Sequence, residues 1–166
     1  NFGNILAAYY AEKMGVPVGK LICASNRNNV LTDFIRTGVY DRNRPFHTTM
    51  SPSMDILISS NLERLLFDLS GGDDELVRRY MADLAETGRY EISEEMREKL
   101  QKRFWGGFCS EEETSATIGQ LYRERGYLID THTAVAAKVL EDYRRETGDD
   151  TIAVFASTAS PYKFCD

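Results

Sequence analysis

The residues with the greatest chemical capacity stand at the two ends of the chain. At one end Asn1, Phe2, Gly3 and Asn4 run directly into Ile5 to Ala11, an apolar stretch that reads as a buried helix. A helix N-terminus presents unpaired N–H groups and the positive end of the macrodipole, and a glycine there lets an anion come close to the backbone. Such a loop can grip a phosphate, although plain capping by asparagine is the commoner use of the same residues. At the other end "STASP" follows an apolar run read as a strand, which sets Ser157, Thr158 and Ser160 at a strand's C-terminal edge. Ligands of open α/β sheets bind at such edges, and a hydroxyl there can bond a ring nitrogen. A Ser/Thr turn, or the cap of a helix begun at Pro161, would use the same hydroxyls.

These groups must be carried on regular elements. Gly15 and Pro17 stop the first helix, and Val18 to Ser25 is predicted as a short buried strand. With a further strand ahead of Asn1 the unit would be a parallel crossover, which points to an α/β fold. "SNRNNVLTDFIRTGVYD" is turn-rich and then forms a short apolar helix, and "RNRPFHTTMSPSMDI" is irregular, with His47 read as a surface residue. Ser60 and Glu63 have the spacing of a capping box ahead of Leu62, Leu65, Leu66 and Leu69 on one helical face.

From about 71 to 126 the chain carries mixed charge at helical spacing, which predicts a peripheral region of solvated helices. Ser110 and Glu113 form a second capping box there, and Phe104, Trp105 and Phe108 read as a packing cluster. Asp130 is predicted to cap a helix that turns Val135, Val139 and Tyr143 to one side and ends at Gly148. Thr151 to Ser157, short, apolar and β-branched, reads as the clearest strand in the chain.

Totals bound the function. A chain of 166 residues fills one ordinary domain, less than two-domain enzymes usually need, so the chain is read as a fragment. A net charge of -6 without a Lys/Arg block argues against nucleic acid, and no apolar run approaches the ~20 residues that span a bilayer. Cys23, Cys109 and Cys165 are odd in number and widely spaced, which gives neither a disulfide framework nor a metal motif and fits a reducing, cytoplasmic setting. Cys23, inside "KLICAS", reads as a small buried hydrophobe.

The ordered set "NFGNILAAYYAEKMG", "KLICASNRNNVLTDF", "TGVYDRNR", "SPSMDILISSNLERLLF", "HTAVAAKV" and "STASPYKF" resembles the threonine synthases. The resemblance implies an α/β fold of the tryptophan synthase beta-like, fold type II family of pyridoxal-phosphate enzymes, a three-layer sheet represented here by a C-terminal part of the catalytic domain. It implies the cofactor pyridoxal 5'-phosphate and the substrate O-phosphohomoserine, converted with water to threonine and phosphate. In that family a Gly-Asn-x-Gly-Asn loop holds the cofactor phosphate, and Asn1, Phe2, Gly3 and Asn4 match its last four places. A Ser or Thr hydroxyl meets the pyridine nitrogen, and Thr158 matches that place.

The family's cofactor-binding lysine belongs to a Ser-Phe-Lys-Asp type of motif that does not occur here; Lys20, Lys99, Lys102, Lys138 and Lys163 stand in other contexts. No catalytic residue is therefore expected in this chain, which alone should be inactive. Asn26, Asn28, Ser53, Asp55, Asn61 and Arg64 match motifs expected to face the substrate, with Arg64 or Asn61 in direct contact. An Arg paired with a nearby acid on a helix face is the plain alternative for Arg64. His132 resembles the family's Asp-Pro-His-Thr helix start, with Thr131 in place of Pro; the helix dipole favours a neutral, hydrogen-bonding ring there. The parent would be a monomer or homodimer, and exposed sheet edges would invite the fragment to self-associate. A phospholyase on the same scaffold, or a non-catalytic interaction domain retaining the fold, are the alternative functions.

Overall fold

The computed structural model describes residues 1–163; Phe164 and Cys165, which belong to the readings above, lie outside the described residues. The elements run α1 (Gly3–Lys13), β1 (Leu21–Ser25), α2 (Val30–Thr37), β2 (Val39–Asp41), a 3-10 turn (Pro52–Met54), α3 (Leu62–Leu69), α4 (Asp74–Glu86), β3 (Arg89–Glu91), α5 (Glu94–Arg103), β4 (Phe104–Phe108), α6 (Glu111–Arg125) and α7 (Thr131–Thr147). β1 and β4 pair in parallel, Leu21 opposite Phe104 and Ser25 opposite Phe108. β2 and β3 pair antiparallel with Tyr40 opposite Tyr90, and the two rings stack at 5.2 Å.

Strand alternation splits the core in two. Leu21, Cys23 and Phe104 face the larger cluster, with Phe34 and Ile35 of α2, Leu62, Leu65 and Leu66 of α3 and Leu100 of α5. Ile22, Ala24 and Trp105 face the opposite way, onto Val135 and Val139 of α7. The β1–β4 pair is thus covered by helices on both faces, a local three-layer arrangement. Two glycines make the close approach possible. A Cβ on Gly106 would stand 3.1 Å from the Thr32 Cα, and one on Gly107 would meet Val139 Cγ1 at 2.8 Å and the Trp105 ring.

Several sequence-based expectations are corrected here. The strand expected over Val18 to Ser25 begins only at Leu21. The Ile5 to Ala11 helix extends over Gly3–Lys13 but buries only Leu6 and Tyr9, because its other face lines an open cleft. Ser60 caps nothing: α3 starts after Asn61, and the backbone N–H of Ser60 donates instead to Asn1 Oδ1 at 3.2 Å. The stretch 71 to 126 is not wholly peripheral, since it contains β4 and sends Tyr80, Leu84, Met96 and Leu100 into the main core; α6 alone buries a single residue, Thr114.

Thr151 to Ser157 forms no strand, and Ile152 and Val154 are 95% and 94% exposed. Its composition favours extended backbone, but a strand also needs a hydrogen-bonded neighbour, and none pairs with it among the described residues. Other readings match the structure: the capping box at Ser110 and Glu113, the Asp130 cap, the stop at Gly148 and the burial of Cys23. Burial pushes the Cys23 thiol up to about 12. His47 is half-buried rather than a bare surface residue.

Trp105 is the sole tryptophan, so its environment can be followed by intrinsic fluorescence. Gly107→Val is expected to push the indole off the strand, red-shift its emission and cost about 1–3 kcal/mol in urea unfolding, the usual scale of overpacking. An unshifted spectrum with full stability would refute this account of the α7 face.

Candidate functional site

An open cleft of about 820 Å³ lies along β1, with Asn1 to Ile5 on one wall and the segment 151–156 on another. The first wall is built by Phe2. Its ring is buried against Phe104, with ring centroids 5.6 Å apart, and its backbone takes φ 62, the one left-handed non-glycine conformation among the described residues. Burial of the aromatic ring offsets the local strain, so Phe2 turns the chain sharply into α1. No side chain caps α1, and Gly3 and Asn4, its first residues, are exposed. A Cβ on Gly3 would meet only Asn61 Nδ2, at 3.6 Å, so the backbone there faces open space. Asn1 is fixed from α3: Asn61 Nδ2 donates to its carbonyl at 2.8 Å.

The opposite wall leads to Thr158, which is exposed and follows the last lining residue, Ala156, by two positions. The loop at Asn1 to Asn4 and the approach to Thr158 therefore share one cleft. Asn28 also lines it.

The remaining expected substrate residues divide. Asn26 is fully buried and lies outside the cleft lining. Its Nδ2 is directed at Thr49 Oγ1 (2.8 Å), Ser51 Oγ (2.9 Å) and Asp55 Oδ1 (2.8 Å), while its Oδ1 accepts the Asn28 N–H at 2.9 Å. Asn28 Nδ2 donates to the His47 carbonyl and to Asp55 Oδ1, and its Oδ1 accepts the His47 N–H. Asp55 collects further donors from Thr49, the backbone N–H at 2.9 Å and the hydroxyl at 2.7 Å.

Asn26, Asn28 and Asp55 are thus a clamp joining the end of β1 to the loop around the 3-10 turn, and of the three Asn28 also lines the cleft. Asn61 is likewise engaged within the chain, where it holds Asn1. Arg64 is exposed, stands outside the cleft lining and forms no ion pair among the described residues. Of Thr49, Ser51 and Glu111, the last of which accepts the Met50 N–H at 2.8 Å, only Ser51, the first residue of the "SPSMD" motif, and Thr49, two residues ahead of it, carry a signal in the sequence.

His132 joins α7 to the 3-10 turn. Its Nε2 accepts the Ser53 N–H at 3.1 Å, so the ring hydrogen belongs on Nδ1, 3.1 Å from Asp130 Oδ1. Ser53 contributes its backbone here, its side chain being exposed. Burial works against the Asp130 carboxylate, but hydrogen bonds from Thr133 and His132 outweigh it and hold its pKa below the ordinary value. Among the described residues no cluster of three His, Cys, Asp or Glu side chains could hold a metal, and no helix is long and apolar enough to cross a membrane.

No protein-family model matches the chain. Threonine synthase-like 1 of Macaca fascicularis is 48% identical over 163 residues, 98% of this chain and 21% of that protein. The crystal structure of threonine synthase from yeast superimposes with a TM-score of 0.90 at 40% identity, over 98% of this chain and 35% of that one. The PLP-bound threonine synthase from Brucella melitensis gives 0.87 at 40% identity, over 99% and 34%. The chain is homologous to threonine synthases. It spans between a fifth and about a third of the length of these relatives, and its fold is the threonine synthase fold over that span.

Two outcomes test the polar framework. Asp55→Ala leaves several buried donors without an acceptor and is expected to cost about 3 kcal/mol or more in urea unfolding, whereas Ser53→Ala, which keeps the bonded N–H, should stay within about 0.5 kcal/mol. A loss below about 1 kcal/mol for Asp55→Ala would refute the clamp. Because the folded-state pKa of Asp130 is depressed, its stabilisation is complete above the unfolded value near 3.9 and fades as pH falls through the folded one. The stability gap between wild type and Asp130→Asn should therefore be wide at about pH 6 and shrink below about pH 4; a gap independent of pH would contradict it.

Proposed function

We infer that the protein carrying this chain is a pyridoxal-phosphate-dependent threonine synthase that converts O-phosphohomoserine and water to threonine and phosphate. The observation that carries the reading is the uncapped start of α1, opening beside the bare backbone of Gly3 into a cleft shared with the approach to Thr158, on a chain 40% identical to a solved threonine synthase. The donor set fits the cofactor: consecutive backbone N–H groups and Asn side chains suit a phosphate at a helix N-terminus, and an apolar wall of Ile5, Ala8 and Leu21 suits an aromatic ring. When bound, the cofactor supplies the electron sink for carbanions formed at the substrate's Cα and Cβ.

The chain's own residues then have the following parts. Asn1 to Asn4 bind the cofactor phosphate through the first turn of α1. Thr158 donates its hydroxyl hydrogen to the ring nitrogen, and a neutral partner of this kind leaves that nitrogen unprotonated. Asn28 forms the wall towards the substrate, with the 3-10 turn at Ser53 held in place by His132. Arg64, an exposed guanidinium on the first turn of α3, attracts the substrate's phosphate or carboxylate.

Lys20 lines the cleft, but its ammonium group and those of Lys13 and Lys138 have partners within the chain. Lys20 donates to the carbonyls of Gln101 and Lys102, Lys138 pairs with Asp142, and Lys13 pairs with Asp68. In this reading the lysine that carries the cofactor belongs to a part of the protein outside this sequence, and the chain is the C-terminal part of the cofactor-binding domain.

The test is product analysis of the full-length protein loaded with pyridoxal phosphate and given O-phosphohomoserine. Threonine and phosphate in equal amounts are expected, and Arg64→Ala should raise KM about tenfold, the loss of one charge-assisted contact. Phosphate without threonine would make the protein a phospholyase, and no phosphate release would leave a non-catalytic relative.

A further inference from the structure

We propose that Thr133 is a positioning residue, which with Asp130 fixes the segment 157–158 and thereby the hydroxyl of Thr158; this rests on the reading of Thr158 given above. Among the described residues one hydrogen bond ties residues 152–159 to the rest of the chain, Thr133 Oγ1 with Ser157 Oγ at 2.8 Å. Strand pairing does not hold this segment, and Ile152 and Val154 are almost fully exposed. Arg144 Nη2 holds the start of the segment at the Thr151 carbonyl, and the Thr133–Ser157 contact is its polar anchor just before Thr158 among the described residues.

The direction of that contact is fixed by its neighbours. Thr133 Oγ1 donates to Asp130 Oδ2, and a carboxylate only accepts. A hydroxyl has one hydrogen, so the hydrogen between Ser157 and Thr133 must come from Ser157. Asp130 is 3% exposed and also accepts the backbone N–H groups of His132 and Thr133. Through His132 the same carboxylate orients the ring that accepts the Ser53 N–H. One buried acid therefore orders both sides of the cleft mouth, the 3-10 turn through His132 and the 157–158 segment through Thr133. The order of hydrogens has a chemical consequence. Ser157 has committed its hydrogen and offers only lone pairs outward, whereas Thr158 keeps a hydrogen for an unprotonated ring nitrogen.

The experiment compares wild type, Thr133→Val, Thr133→Ser and Ser157→Ala in the full-length protein. Thr133→Val keeps the branched shape and removes the hydroxyl, Thr133→Ser restores it, and Ser157→Ala breaks the contact without touching α7. In the cofactor-free protein, the backbone order parameters of residues 156–159 are expected to fall in Thr133→Val and in Ser157→Ala and to stay at the wild-type value in Thr133→Ser. With pyridoxal phosphate added, the visible absorption band of the loaded protein should move in the first two variants and return in Thr133→Ser. Unchanged order parameters in either Thr133→Val or Ser157→Ala overturn the proposal. If wild type takes up no pyridoxal phosphate, the functional reading fails, and the order parameters still decide whether Thr133 pins the segment.

Discussion

The parallel pairing of β1 with β4 is the constraint on which the rest of the molecule depends. It joins Leu21–Ser25 to Phe104–Phe108, segments far apart in sequence, so everything between them must loop out and return. Parallel strands demand such long connections, and here the connection contains α2 to α5 and most of the main core. The pair is fastened across β4's carbonyls, where Thr32 Oγ1 reaches the Gly107 carbonyl and Arg36 Nε the Gly106 carbonyl, each at 2.9 Å. Arg36 also lies over the Trp105 ring, 5.6 Å from its centroid. With β4 on one edge, β1 becomes the floor of the cleft, and its last residue delivers the chain directly into the Asn26 clamp.

Two carboxylates organise the polar side of this frame. Asp55 gathers Asn26, Asn28 and Thr49 and so fixes the loop that follows β2, while Asp130 gathers the first turn of α7 and, through His132, the 3-10 turn. Asp130 is buried and Asp55 half-buried, and carboxylates so placed are tolerated only when their lone pairs are taken up by donors, here neighbouring N–H and O–H groups rather than cations. The ordinary ion pairs of the chain, such as Arg78 with Asp74 and Lys99 with Glu95, lie on exposed helix faces and contribute little to the fold.

Local signals in the sequence were read well and pairing was not. Ser110, Asp130 and Gly148 mark helix ends through contacts within a few residues, which a linear pattern contains. The strand at "FWGGF" went unrecognised because glycine weakens strand propensity, and its two glycines are there for neighbours on both faces, Thr32 on α2 and Val139 on α7. The opposite error at Thr151 to Ser157 has the same root: propensity was present and a partner was not. In the site, the motif at Asn1 to Asn4 and the segment leading to Thr158 line one cleft. The motif residues Asn26, Asn28, Asp55 and Asn61 are legible in the sequence, but the segments they tie together are not, since those contacts reach across dozens of residues.

Those asparagines also explain the electrostatics of the cleft. α4, α5, α6 and α7 each have a side chain capping the N-terminus, from Asp73, Ser93, Ser110 and Asp130, so their first-turn N–H groups are partly neutralised within the chain. α1, α2 and α3 have none, although polar residues stand at or next to their starts. Asn61 reaches back to the Asn1 carbonyl, Asn29 Oδ1 accepts Arg44, and Asn1 Oδ1 accepts the Ser60 N–H. Side chains that could have closed these helix ends instead tie segments together. The first turn of α1 consequently keeps its N–H groups and the positive end of its dipole directed at the cleft, where only solvent or an anion can satisfy them.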